Sequence, residues 1–229
     1  SIIIGYDARK TSKEFANVLK EAACSLGADA FMIGLSGTEE MYWAVTEFEA
    51  SAGIEVTASH NPINFNGLKI VKNNSLPLLH SQDFLNIKQI AERKKWRKNS
   101  RLGSVKNIAD QAKKRYVEKV LSFIDLKKLK PLKVLINSGN GAAGPTFDHI
   151  AKEFQRVGVP TEFVLINHKP DHNFPNGIPN PLIKKNQLVT SNAVKEVGAD
   201  FGIAFDGDFD RCFFFDENGS FIPGEYTIG

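Results

Sequence analysis

At 229 residues, 42% of them apolar and 24% charged, the chain has room for two ordinary cores and none of the bias that marks disorder. Its 29 basic and 26 acidic side chains leave a net charge of +3, too small a surplus to predict a nucleic-acid, membrane or protein partner. It contains no apolar run of about twenty residues and therefore no expected membrane span, and its two cysteines, Cys24 and Cys212, lie far apart, match no metal spacing and read as small buried hydrophobes of a reducing, cytoplasmic compartment.

Residues 1–5 (SIIIG) read as a buried strand. No signal peptide precedes it, and the chain reads as cut at both ends. Thr11 or Ser12 caps the next element, a helix whose apolar positions are Phe15, Val18, Leu19, Ala22, Ala23 and Leu26, and Gly27 ends it. A strand over 30–34, a helix over 38–50 and a strand over 54–58 follow. The polar loop 59–66 leads to a strand over 68–71. Helices are expected near 81–93 and 108–123. The basic run Arg93, Lys94, Lys95, Trp96, Arg97, Lys98 reads as a solvated helix end, since one aromatic makes a poor base-stacking platform.

The polar segment 126–131 (LKKLKP) ends in proline and marks a boundary, giving domains 1–125 and 126–229. The pattern then restarts. Strands are expected over 132–136, 162–166, 200–205 and 212–216, with helices near 145–157 and 186–197 and an extended proline-rich loop over 168–181. This alternation predicts two consecutive α/β domains with mixed, mostly parallel sheets flanked by helices. The halves look alike in architecture, without a residue-level repeat.

Three motifs offer chemistry. In Asp206-Gly207-Asp208-Phe209-Asp210-Arg211, an extended backbone puts the three carboxylates on one face, where they would repel unless a hard cation joined them. Carboxylate oxygen is the ligand Mg²⁺ prefers, and Arg211 would pair with a phosphate beside it. An EF-hand is excluded because its sixth position holds Arg211 and its flanks read as strands. In Thr57-Ala58-Ser59-His60-Asn61-Pro62, Ser59 sits in a tight loop at a strand end. Its neighbours His60 and Asn61, with Lys69 ten residues on, suit phosphate handling. Gly139-Asn140-Gly141-Ala142-Ala143-Gly144 matches a dinucleotide fingerprint, with Glu162 near the distance of a ribose ligand. The same glycines also serve a tight turn and close packing.

Together these strings resemble the α-D-phosphohexomutase family. TASHNP (57–62) is similar to its phosphoserine loop and DGDFDR (206–211) to its metal loop. SGTEEMY (36–42), NSGNGAAGP (137–145), FPNGIPNPL (174–182) and FDGDFDRC (205–212) resemble the bacterial phosphomannomutase branch. The resemblance implies that Ser59 is phosphorylated and that Asp206, Asp208 and Asp210 bind Mg²⁺ together with an oxygen on Ser59. Arg211 and Asn61 would contact the phosphate, and His60 and Lys69 would assist proton transfer. Asp7 and Arg9, in GYDAR (5–9), would support the serine loop.

The implied reaction converts mannose 6-phosphate and mannose 1-phosphate through a hexose 1,6-bisphosphate, for GDP-mannose synthesis. Phosphoglucomutase or phosphoglucosamine mutase chemistry is the alternative within the family, and a non-catalytic nucleotide-binding module the alternative outside it. The resemblance spans only the first half of a family member. An early arginine segment, a sugar-recognition loop and a C-terminal phosphate-binding domain would lie outside it, so this chain is expected to fold and bind Mg²⁺ but to turn over poorly.

Overall fold

The computed structural model describes residues 1–78, 81–94 and 101–228. The first half runs β1 (Ile2–Tyr6), α1 (Ser12–Ser25), β2 (Ala30–Leu35), α2 (Thr38–Glu47), β3 (Ala52–Val56), β4 (Leu68–Lys72), α3 (Ser81–Arg93), β5 (Val105–Asn107) and α4 (Ala109–Leu121). The second half runs β6 (Leu132–Asn137), α5 (Ala143–Val157), β7 (Thr161–Ile166), α6 (Lys184–Val197), β8 (Phe201–Phe205), β9 (Cys212–Phe215), β10 (Phe221–Ile222) and α7 (Glu225–Ile228).

Each half builds one five-stranded sheet, in the orders β4-β3-β1-β2-β5 and β10-β9-β8-β6-β7. In the first, only β4 runs antiparallel to its neighbour. In the second, β6 pairs parallel with β7 and β8, and β9 alone is reversed, pairing antiparallel with β8 and β10. The loops on either side of β9 are too short for a crossover, so the chain can only fold back on itself. The cores β4-β3-β1-β2 and β9-β8-β6-β7 share one topology. The repeat that the residues hide is therefore real in the backbone.

Alternation along the central strands fills both faces of each sheet. Ile3 packs with Ile33, Met41 and Val45 beneath α2 and α4, and Ile4 packs with Ala16 and Val56 beneath α1. In the second sheet Leu135 packs with Val194 of α6, and Val134 and Ile136 with Phe147 of α5.

Several expectations need correction. Thr11 is already helical and makes no side-chain cap, while the Ser12 hydroxyl donates to Asp7 Oδ1 at 2.5 Å. The buried stripe of α1 is Ser12, Ala16 and Ala23, and Phe15, Val18 and Leu26 are exposed. Small residues let this helix lie close on β1. Cys24 is half-buried and Cys212, first in its strand at the sheet rim, is exposed. The edge strand β5 and the short β10 and α7 carry no apolar period that would announce them. Arg93 and Lys94 of the basic run close α3 and follow it; the rest of the run lies outside the described residues. Among the described residues no helix is long and apolar enough to cross a membrane.

Candidate active site and metal centre

In both sheets successive crossovers leave the first strand in opposite directions, which opens a crevice at its carboxyl end. The loops after β1 and β3 fill one crevice and those after β6 and β8 the other, and the two crevices face each other. β3 ends at Val56, two residues earlier than the sequence suggests. Beyond it Thr57 turns its hydroxyl inward and Ser59 takes a positive φ of 48°.

Arg9 shapes this turn. Its guanidinium, 4% exposed, donates to the carbonyls of Ser59 (2.8 Å), Asn61 (2.6 Å), Pro62 (2.9 Å) and Phe65 (2.9 Å). Asp7 lies beside it and accepts from the Arg9 amide and the Ser12 and Thr57 hydroxyls. Thr57 Oγ1 in turn accepts the Ser59 amide at 2.8 Å. Four backbone carbonyls of the turn are thus gathered on one cation.

Ser59 Oγ donates to Asp206 Oδ2 at 2.8 Å, across 147 residues of sequence. Arg211 Nη2 donates to Ser59 Oγ (3.1 Å), Asp206 Oδ2 (2.6 Å) and His60 Nδ1 (2.7 Å). A guanidinium can only donate, so Nδ1 of His60 carries no proton here. His60 is exposed on the rim, 3.4 Å from Ser59 Oγ. Asn61 is exposed as well and meets the site through its backbone, its carbonyl on Arg9 and its amide on Ala58. Lys69 reaches the aspartates instead of the serine. Its ammonium donates to Asp208 Oδ2 and Asp210 Oδ2, each at 2.7 Å, and to Thr38 Oγ1 at 3.0 Å.

Asp206, Asp208 and Asp210 each bring one carboxylate oxygen within 4.8 Å of the others. Burial and the charges of Asp208 and Asp210 push Asp206 up to about 6, against Arg211. Burial also opposes ionisation of Asp208, but Lys69 prevails and holds it below the ordinary carboxylate range. Lys69 is raised in turn, Asp208 and Asp210 outweighing its burial. Two cations therefore face three carboxylates. Asp208 Oδ1 and Asp210 Oδ1 are buried without a hydrogen-bond partner, the Arg211 Nε approach to the latter being 3.6 Å. Buried orphan carboxylate oxygens are costly unless something meets them. An all-oxygen set short of positive charge fits a hard divalent cation.

The glycine-rich segment does different work from a nucleotide cradle. Its amides are spent internally, Gly139 N on Asn137 Oδ1, Gly141 N on Ser138 O and Ala142 N on the Gly207 carbonyl of the aspartate loop. A Cβ on Gly141 would stand 2.6 Å from Gly207 O, and one on Gly144 2.0 Å from His168 O. Gly141 lets this loop touch the aspartate loop, and Gly144 lets α5 lie against the loop after β7. Glu162 lies away on β7, 3.5 Å from Lys133. Thr38 and Thr57, which bind Asp208 Oδ2 at 2.8 and 3.2 Å, were not assigned from sequence; the strings SGTEEMY and TASHNP contain them without marking their contacts.

Comparison with known proteins agrees with this geometry. Residues 1–98 match the family model described as phosphoglucomutase/phosphomannomutase, alpha/beta/alpha domain I, and residues 114–219 match alpha/beta/alpha domain II. A phosphomannomutase of Escherichia coli is 45% identical over 231 residues, covering 100% of this chain and 50% of the relative. One from Vibrio cholerae is 44% identical over 229 residues, covering 100% and 49%. The crystal structure of a phosphoglucomutase/phosphomannomutase family protein from Burkholderia thailandensis superposes with a TM-score of 0.82 at 28% identity, covering 98% of this chain and 48% of that one. The chain spans about half the length of the curated relatives it matches.

Proposed function

Because the chain belongs to the phosphoglucomutase/phosphomannomutase family, we propose that it carries the phosphoserine and metal loops of a cytoplasmic phosphomannomutase that interconverts mannose 6-phosphate and mannose 1-phosphate through a hexose 1,6-bisphosphate. The observation that carries this reading is the 2.8 Å contact of Ser59 Oγ with Asp206 Oδ2 beneath Arg211. Sugar choice follows the phosphomannomutase relatives, and the product would feed GDP-mannose synthesis. Residues 1–125 form the serine-loop domain and 126–229 the aspartate-loop domain on this reading; the support is that one sheet lies wholly before the boundary and the other wholly after it.

Asp206, Asp208, Asp210 and an oxygen on Ser59 would hold Mg²⁺, which when bound supplies positive charge that stabilises a phosphoryl group in flight. The chain's own groups do the rest. Arg9 and Thr57 fix the Ser59 backbone, so its oxygen enters and leaves along one line. Arg211 sits where it can pair with a phosphate on that oxygen, as Asn61 would from the loop rim. In the forward step a sugar hydroxyl oxygen bonds to the phosphorus of phospho-Ser59 as the bond to Ser59 Oγ breaks. The hydroxyl proton passes to a neutral acceptor, and His60 Nδ1 becomes one once Arg211 turns from it to the phosphate. Lys69 enters as an ammonium and serves as proton donor and counter-charge.

Incubation with a hexose 1,6-bisphosphate is expected to add about 80 Da to the chain, the mass of one phosphoryl group. Intact-mass measurement reads this directly. A wild type that takes up no label, or a Ser59→Ala variant that still does, would defeat the assignment.

A further inference from the structure

Asp208 is the most enclosed of the three aspartates together with Asp206, and its two oxygens are treated very differently. Oδ2 receives two donors, the hydroxyl of Thr38 and the ammonium of Lys69, and the Thr57 hydroxyl, whose one proton lies nearer Asp7, stands 3.2 Å from it. Oδ1 receives none, although it is buried. A carboxylate held this way cannot rotate freely, because turning it would strip both bonds from a buried charge.

Thr38 is itself 1% exposed and opens α2. It reaches the aspartate loop twice. Its amide donates to the Asp208 carbonyl at 3.1 Å, and its hydroxyl donates to Asp208 Oδ2 while accepting Lys69 Nζ. The single hydroxyl proton is thereby committed to Asp208, since the ammonium can only donate. Gly37 before it presses on the same loop, where a Cβ would stand 2.4 Å from the Phe209 ring. One turn on, Glu40 accepts from Thr146 at 2.7 Å and from Lys113 at 2.9 Å, so this end of α2 is fastened to α4 and α5 as well.

We infer that Thr38 is a positioning residue for the metal loop: its hydroxyl sets the Asp208 carboxylate so that one oxygen stays open to a divalent cation. The inference rests on the metal-binding reading above and adds to it a residue from the first half of the chain that acts through Asp208. Groups that orient a ligand from behind typically govern affinity by about ten- to a hundredfold.

Mn²⁺ binding to the 229-residue chain, followed by electron paramagnetic resonance, is the test, with thermal unfolding measured in parallel. Thr38→Val keeps the amide bond and the bulk but removes the donor, and it is expected to weaken Mn²⁺ by about tenfold. Thr38→Ser is expected to restore binding, which a purely packing role would not do. Thr38→Ala serves if the valine variant fails to fold. Valine and alanine variants that bind as wild type, or a serine variant as weak as valine, overturn the role of Thr38 alone. A wild type without saturable Mn²⁺ binding removes the metal reading and this inference together.

Discussion

The Arg9 guanidinium meets the Ser59 carbonyl at 2.8 Å, while the serine hydroxyl turns to Asp206 Oδ2 at the same distance. One buried cation thus sets the Ser59 backbone without touching its hydroxyl. The same side chain holds three further carbonyls and lies 3.4 Å from Asp7.

Arg9→Ala strands both Asp7 and those carbonyls. Removing one partner of a buried pair costs about 3–5 kcal/mol, so the variant should unfold at markedly lower urea. Arg9→Lys keeps the charge but lacks the fork, and should recover only part of the loss. Equal midpoints for Arg9→Ala and wild type would mean the loop is held by other means.

Glu55 of β3 is wholly buried, with Ser36 Oγ 3.1–3.2 Å from its oxygens. Burial, then the charge of Asp7, holds it well above its ordinary value of 4.5. The folded state therefore keeps a proton that the unfolded chain releases above that value. Stability falls as pH rises from 4.5 towards the folded value, with a slope of at most about 1.4 kcal/mol per pH unit. Glu55→Gln should be more stable than wild type at neutral pH, and the gap should close below 4.5. Urea midpoints across that range check it; a gap independent of pH would disprove it.

Gly141 faces the Gly207 carbonyl, which is backbone and has little freedom to retreat. Gly141→Ala should cost about 1–3 kcal/mol and push the aspartate loop outward. Chemical denaturation gives the first effect and Mn²⁺ affinity the second. Gly177 has open space around it but, unlike Gly141, a positive φ of 82°, so Gly177→Ala should carry only backbone strain, about 1 kcal/mol, and leave Mn²⁺ affinity alone.

The Glu40–Lys113 pair, 5% and 10% exposed, joins α2 to α4, with Thr146 of α5 on the same carboxylate. Lys113→Met alone should cost about 3–5 kcal/mol by leaving Glu40 uncompensated. Adding Glu40→Gln should return much of that. A double variant no better than the single one would show that the pair's charges are not what matters.

The central strands were readable because β-branched runs between glycines have few other uses, and the aspartate loop because three acids between apolar strands need a reason. What could not be read is telling. No rule of periodicity separates Ser12, Ala16 and Ala23 from the larger Phe15, Val18 and Leu26, since the choice depends on how near β1 lies. Gly139–Gly144 carry the fingerprint of a phosphate cradle and fill the role of a spacer between loops, a distinction set by Gly207, far off in sequence. Lys69 was placed beside Ser59 by proximity in sequence, yet its long side chain goes to Asp208 and Asp210. Thr38 shows the same limit, for its partner is 170 residues away.

The two sheets repeat one topology and contribute one loop apiece to the Ser59–Asp206 contact. During synthesis the serine emerges long before its acidic counterparts, and it is then an unremarkable hydroxyl on a finished layer. The pocket shared by serine and aspartates exists only once the second layer docks, so its parts are made in sequence and meet last.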